Sequence, residues 1–321
     1  MRACLLAACC CMATSAHAQQ KPAAYPTKPI RVIVTISAGG GPDTVVRMVS
    51  QLVNEKLGQP FVVDNRPGGG TVLATDLVAH AAPDGYTLLN STDTLLLVGA
   101  MKRVNYDVRK AFEPVVQMTA QHYVLVVNPA LPIKTLKDLI AYSRARPDAL
   151  SYGSQGVGTT GHLNTERFKT LTGISAVHVP YKGAAPALLD IIGGQIQFMF
   201  ASPVSATPHI HSGKLRGIGV AGPKRMAHLP ELPTIAESGV ADFRASNAYN
   251  LVAPAGTPRA IVQLLNSVIS ASLNTPEMVK RFAADGTEPA APATPEQFRA
   301  MMEREYLQVE KQVKGMRLKD L

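Results

Sequence analysis

Gly156-Val157-Gly158-Thr159-Thr160-Gly161 is the stretch whose residue types and spacing come nearest to a known chemistry. It matches G-x-G-x-x-G, with which a strand–loop–helix unit brings backbone amides up to a dinucleotide pyrophosphate. The acid that would hold a ribose about 20 residues further on is missing, because that region reads Ala176-Val177-His178-Val179-Pro180. The pattern keeps an anion seat, a helix start with unpaired N–H groups and partial positive charge, and loses the nucleotide. Other chemistry is sparse. The chain has no G-x-S-x-G elbow, no P-loop and no H-E-x-x-H. His209 and His211 stand two apart, too few donors for a metal site, and no nucleophile–base pair follows from spacing. His162, in the first helical turn after the glycine loop, has two readings: packing or capping within its own unit, or a hydrogen bond to a ligand.

The elements that must position this loop run from Leu150 to Gly173: a short strand, a loop holding Gln155, Gly156 and Gly158, then a helix opening at Thr159 and Thr160. Leu163, Phe168 and Leu171 fall on one side of the helix, and Gly173 stops it. The same order occurs earlier. Ile30–Gly58 reads as a strand (IRVIVTI), a loop (Ser37, Ala38, Gly39, Gly40, Gly41) and a helix over Thr44–Leu57 with Val45, Met48, Val49 and Leu52 on one face. FVVDNRPGGG then parallels AVHVPYKGAA, TVLATDLVAH parallels PALLDIIGG, and YTLLNST parallels IQFMFAS. The expected fold class is therefore α/β, with two lobes of like design, each a sheet flanked by helices. Two helix starts facing each other across a cleft would hold a small carboxylate.

Continuous Val/Ile in the first strand implies burial on both faces of a parallel sheet. Asp43 has two readings, an N-cap or a partner for a ligand amine or hydroxyl. Open α/β sheets bind ligands at strand C-termini, which makes Ser91, Thr92 and Asp93 candidate cleft residues after Tyr86–Leu89. Phe198–Phe200 ends likewise at Ala201-Ser202-Pro203, and Val177–Pro180 runs into the turn Tyr181-Lys182-Gly183. Arg66 reads as a brace for its loop, and Lys182 as solvated or as a cleft cation. Tyr123–Val127 and Tyr249–Ala253 are expected to cross between the lobes, dividing the chain into residues 25–123 with 248–321 and residues 124–247. Thr257-Pro258, Thr275-Pro276 and Thr294-Pro295 each place a cap before a first-turn proline, and Thr294 with Gln297 forms a capping box.

The first 18 residues read as a signal peptide: Arg2, a short apolar run, then Ala16-His17-Ala18. All four cysteines lie there, so the remainder has no disulfide and no thiol chemistry. Leu6-Ala7-Ala8-Cys9 also fits a lipoprotein box, but the apolar run before it is short, and release into the periplasm is the preferred expectation. No later stretch has the roughly 18 apolar residues of a membrane span. Few aromatics and no Trp argue against nucleic-acid stacking. The net charge of +9 is scattered, which serves solubility with a mild bias toward acidic ligands.

Several stretches together resemble the tripartite tricarboxylate transporter receptor family, the Bug periplasmic substrate-binding proteins. They include VIVTISAGGGPDTVVRMV, DNRPGGG, AAPDGYTLL, GVGTTGHL, VHVPYKGAAPALLDIIGGQIQFMF and LPTIAESG, and the likeness runs from about Tyr25 to the C-terminus. The resemblance implies a type II periplasmic-binding fold with two hinge strands, closing as a monomer on an organic acid without catalysis, metal or cofactor. It also implies delivery of that acid to membrane permease subunits. It places the ligand on the loops Ser37–Asp43 and Gln155–His162. The chain departs from the family pattern where Ile36-Ser37-Ala38 replaces Phe-Pro-Pro, where Gly41-Pro42 replaces small hydroxyl residues, and where Ala201 replaces an Asp. Loss of that acid points away from an amino acid and toward a carboxylate with an apolar or hydroxyl tail. Two alternatives stay open: a receptor that signals to a partner protein, and a secreted α/β hydrolase or isomerase using His162 and Asp43.

Overall fold

A computed structural model describes residues 25–147, 149–241, 243–284 and 286–315. The signal-peptide and Cys9 expectations lie outside them. In chain order the elements begin with β1 (Ile30–Val34), α1 (Gly41–Leu57), β2 (Phe61–Asn65), α2 (Val72–Ala79), β3 (Thr87–Thr92), α3 (Thr94–Ala100), α4 (Val108–Ala111) and β4 (Phe112–His122). The chain continues with β5 (Val124–Val127), α5 (Leu136–Ala145), β6 (Ser151–Ser154), α6 (Thr160–Thr172), β7 (Val177–Pro180), α7 (Ala184–Ile192), β8 (Phe198–Ala201), α8 (Pro203–His211) and β9 (Arg216–Val220). It closes with β10 (Ser246–Pro254), α9 (Arg259–Leu273), α10 (Pro276–Ala284) and α11 (Pro295–Gly315).

These elements form two five-stranded sheets, ordered β2-β1-β3-β10-β4 and β7-β6-β8-β5-β9. The two-lobed α/β expectation is borne out. β1 pairs in parallel with β2 and β3, and its side chains divide between two cores: Ile30, Val32 and Val34 in one, Ile33 in another on the opposite face. That is the both-face burial its composition requires. The second lobe packs Phe168, Phe198, Phe200 and Phe243 together with Tyr152.

The chain passes between the sheets at two places held to each other. Tyr123 donates its amide to the Ala245 carbonyl, Ala221 to Tyr123, and Ala245 to Ala221. One crossing strand is longer than its sequence suggests. β4 begins eleven residues before Tyr123, and Pro114 disguises it; β4 is an edge strand, where proline costs the sheet no ladder bond.

Other expectations shift by a few residues. β3 extends through Asn90, Ser91 and Thr92, so those residues are strand rather than loop. α1 starts at Gly41 rather than Thr44, because Pro42 suits a first helical turn. Asp43 is consequently inside that turn and is not the N-cap, which is Gly40. Leu171 is 47% exposed and turns away from the face shared by Leu163 and Phe168. At the tail, Thr275 accepts from the Met278 amide, and Thr294 with Gln297 forms the reciprocal capping box. Thr257 does not cap: its hydroxyl bonds back to Pro254, and Pro258 takes the N-cap position.

Candidate ligand cavity between the lobes

Six helices begin around one cavity between the sheets. Gly41 and Pro42 open α1, Thr71 precedes α2, and Thr94 opens α3 on the first-lobe side. Thr159 and Thr160 open α6, Ala184 opens α7, and Ser202 precedes α8 on the other. The convergence follows from topology, since helices that follow parallel strands begin at the strand C-termini, where the two sheets face each other. Ile36, Thr92, Tyr123, Gln155, Asn247 and Tyr249 complete the wall. Among the described residues no charged side chain lines it. Its electrostatics come from amide and hydroxyl dipoles, and a helix start favours an anion by roughly 0.3–1 kcal/mol, or about 2 where partly buried.

The α1 and α6 starts differ locally. Gly40 offers no side-chain cap to α1, whereas the Thr159 hydroxyl accepts from the His162 amide at 3.5 Å. α8 likewise has no side-chain cap from Ser202, whose hydroxyl donates to Ser205 at 3.0 Å. Gly41 must be glycine for a packing reason: a Cβ there would stand 2.1 Å from the Tyr249 hydroxyl and 2.7 Å from Ser202 Oγ. Several buried polar atoms facing this region have no partner among the described residues, namely Thr71 Oγ1, Asn247 Oδ1 and the Tyr249 hydroxyl. The Tyr249 hydroxyl lies near Ser202 and Gln121, in good hydrogen-bond geometry with neither. Burial pushes the phenols of Tyr123 and Tyr249 above their ordinary value, so both keep their protons.

The lobes are closed on each other. The Ser37 amide donates to the Lys182 carbonyl at 2.9 Å, and Thr94 and Thr160 share hydroxyl and amide contacts at 3.3 Å. The cavity that remains measures about 20 Å³, room for roughly one water molecule. A carboxylic acid enters only when the lobes part.

Of the residues singled out in sequence, Gly41, Thr92, Gln155, Thr159, Thr160 and Ser202 come together on this wall. The others do not line it. Ala38 and Gly39 are exposed, and Gly40 is buried against Ile36. Asp43 is 3% exposed, and its carboxylate is occupied by the Gly39 amide, Arg47 and Asn65. Burial raises its pKa, but the hydrogen bonds from Arg47, Gly39 and Asn65 and the Arg47 charge outweigh that and hold it below the ordinary value. It is a brace for the first glycine loop. His162 does the same for the second: its Nδ1 accepts from the Gly158 amide at 3.2 Å, and its ring stacks on His178 at 4.0 Å. Burial lowers both imidazole pKa values, that of His178 to about 4.

Gly156 and Gly158 take positive φ in the loop. Tyr181 donates to Asp190, Lys182 is exposed, and Ala201 is part of the core. Arg66 pairs with Asp64, the bracing role read from its loop. Asp93 accepts from the Ala248 amide and faces a second cavity of about 690 Å³ beside Glu305. Burial first, then the Glu305 charge, pushes its carboxyl up to about 7. Among the described residues no group of three or more His, Cys, Asp or Glu side chains could hold a metal.

Sequence reasoning missed Thr71, Asn247 and Tyr249. Thr71 follows the glycines of DNRPGGG, and Asn247 and Tyr249 sit two apart on the returning strand, hence on one face. A polar residue in phase with a tyrosine on a crossing strand was the available signal.

Comparison with known proteins agrees with this architecture. A family model described as the tripartite tricarboxylate transporter family receptor matches residues 45–314. Protein BugT of Bordetella pertussis is 38% identical over 281 residues, 87% of this chain and 86% of that protein. A structure of an R. palustris protein with adipate is 35% identical with a TM-score of 0.85, over 90% of this chain and 97% of that one. MatC from Rhodopseudomonas palustris with bound malate is 29% identical with a TM-score of 0.84, over 89% and 99%. With that match across most of its length and two sheets closing on a dipole-lined cavity, the chain belongs to the tripartite tricarboxylate transporter receptor family.

Proposed function

We propose that this protein is an extracytoplasmic solute receptor that binds a small organic carboxylate between its lobes and hands it to membrane permease subunits. The observation that carries the reading is the wall itself: six helix starts from two lobes, and no charged side chain, around a single cavity. Such a wall compensates an anion with oriented dipoles and repels an ammonium group. Relatives of the same fold hold adipate and malate, and we carry that class over. The binding residues in this reading are Gly41, Thr92, Gln155, Thr159, Thr160 and Ser202, joined by Thr71, Asn247 and Tyr249. The lobes divide near residues 123 and 247, as sheet membership supports.

The receptor acts as a monomer in the periplasm and releases the acid unchanged. His162 and Asp43 are committed to their own loops, which supports binding without chemistry over the enzyme reading. A thermal-shift screen against a carboxylate panel tests this. A true ligand at about 100 times its Kd stabilises the protein by roughly 2.7 kcal/mol, and the acid is recovered intact. A panel that leaves Tm unmoved, or an acid consumed on incubation, overturns the reading.

A further inference from the structure

Asn247 carries this inference, which rests on the carboxylate-receptor reading above. The residue is 7% exposed and lines the cavity. Among the described residues nothing pairs with its side-chain amide, and its Oδ1 is fully buried without a donor. Two residues along β10, on the same face, the Tyr249 hydroxyl is also buried and unpaired. Thr71 Oγ1, 5% exposed at residue level, completes the set from the α2 side. Buried polar groups without partners are costly and rare, and at a ligand wall they describe what the ligand must supply.

The three groups ask for different things. A hydroxyl can donate to a carboxylate oxygen, so Tyr249 and Thr71 are satisfied by the anion already argued for. An amide side chain cannot be satisfied by a carboxylate alone. Its nitrogen donates to one, but its oxygen accepts only and needs an O–H or N–H from the ligand. The oxygen is the fully buried end of this amide. The oxygen and nitrogen of an amide are bonded to one carbon, so their span suits a donor and an acceptor on neighbouring atoms of a ligand. A hydroxyl on the carbon next to a carboxylate has that arrangement. An ammonium group there would also donate, but no carboxylate lines the cavity to balance it, and the helix starts oppose it.

We propose that Asn247 makes this a receptor for 2-hydroxy acids, its amide oxygen accepting from the hydroxyl while its nitrogen donates to the adjacent carboxylate. Acids with hydrogen or a keto oxygen at that carbon leave the amide oxygen unpaired, and 2-amino acids meet an uncompensated positive charge.

The test is isothermal titration of the full chain with matched acids: malate, succinate and aspartate at four carbons, and lactate, propionate and alanine at three. In at least one set the 2-hydroxy acid binds about tenfold or more tighter than its unsubstituted partner, and the amino acid does not bind. Asn247→Leu abolishes that preference: hydroxy and unsubstituted acids then bind alike, both more weakly than the unaltered protein binds the 2-hydroxy acid. Equal binding of hydroxy and unsubstituted acids by the unaltered protein overturns the inference and leaves the carboxylate-receptor reading standing. A preference that survives Asn247→Leu overturns the role of this residue. No binding of any carboxylate, in these sets or the wider panel, removes the receptor reading and this inference with it. The unaltered protein decides the substrate class even if the variant does not fold.

Discussion

Arg103, on the first-lobe rim, donates from Nη1 to the carbonyl of Val157 in the glycine loop opposite, at 2.7 Å. Its Nη2 reaches the Gly69 carbonyl at 3.1 Å. One guanidinium therefore ties the two glycine-rich loops together. It has room because Gly158 and Gly70 carry no side chain: a Cβ would stand 2.4 Å and 2.8 Å from Nη1.

Removing that tie weakens closure without touching either core. Arg103→Ala is expected to lower ligand affinity about fivefold, roughly the worth of one net hydrogen bond, and to leave the Tm of the free protein nearly unchanged. Stopped-flow dissociation shows the loss as a faster off-rate. An unchanged off-rate would mean that the contact contributes nothing to holding the lobes.

Gly41 offers a sharper lesion. Gly41→Ala places a methyl group against the Tyr249 hydroxyl and Ser202, overpacking that costs about 1–3 kcal/mol in a close-packed site. Because the clash lies in the cleft, ligand affinity falls by about tenfold or more while the far-ultraviolet circular dichroism spectrum is retained. Adding Tyr249→Phe relieves part of the clash and recovers part of the affinity. Gly40→Ala is milder, since its Cβ meets only the end of the Ile36 side chain closely.

Asp43 is expected to stabilise the fold above the acidic range. Its folded pKa lies below the ordinary 3.8, so the contribution is complete above that value and is lost as pH falls through the folded pKa. Asp43→Asn should cost about 1–3 kcal/mol at pH 7, with the gap to the unaltered protein closing in strong acid. Urea unfolding at the two pH values measures both.

The stacked imidazoles titrate in a different window. His178 takes up a proton near 6.5 when unfolded and only near 4 when folded. The unfolded chain binds more protons between those values, so the neutral stack contributes fully above pH 6.5 and is lost as pH falls toward 4. Calorimetry from pH 7 to pH 4 should show Tm declining, and His178→Phe should flatten the decline.

The fold was legible because its signals are local. Burial of β1 on both faces, the glycine stops at Gly58 and Gly173 and the Thr294–Gln297 box each follow from a few neighbouring residues. β4 was hidden because Pro114 looks like a break until the strand is known to be an edge. The site was half legible. Gly41, Thr159 and Thr160 announce themselves as helix starts, but Asp43 and His162, which look chemical, serve their own loops. Asn247 and Tyr249 look like strand filler, and only the pairing of β10 between β3 and β4 brings them to the cavity. Contacts made across more than a hundred residues leave no mark on local spacing.

The shut chamber has room for little more than a single water, which fixes how any solute must leave it. A solute larger than that is admitted only by a wider setting of the two lobes than this one. Affinity then sets how far that wider setting is populated against the shut one.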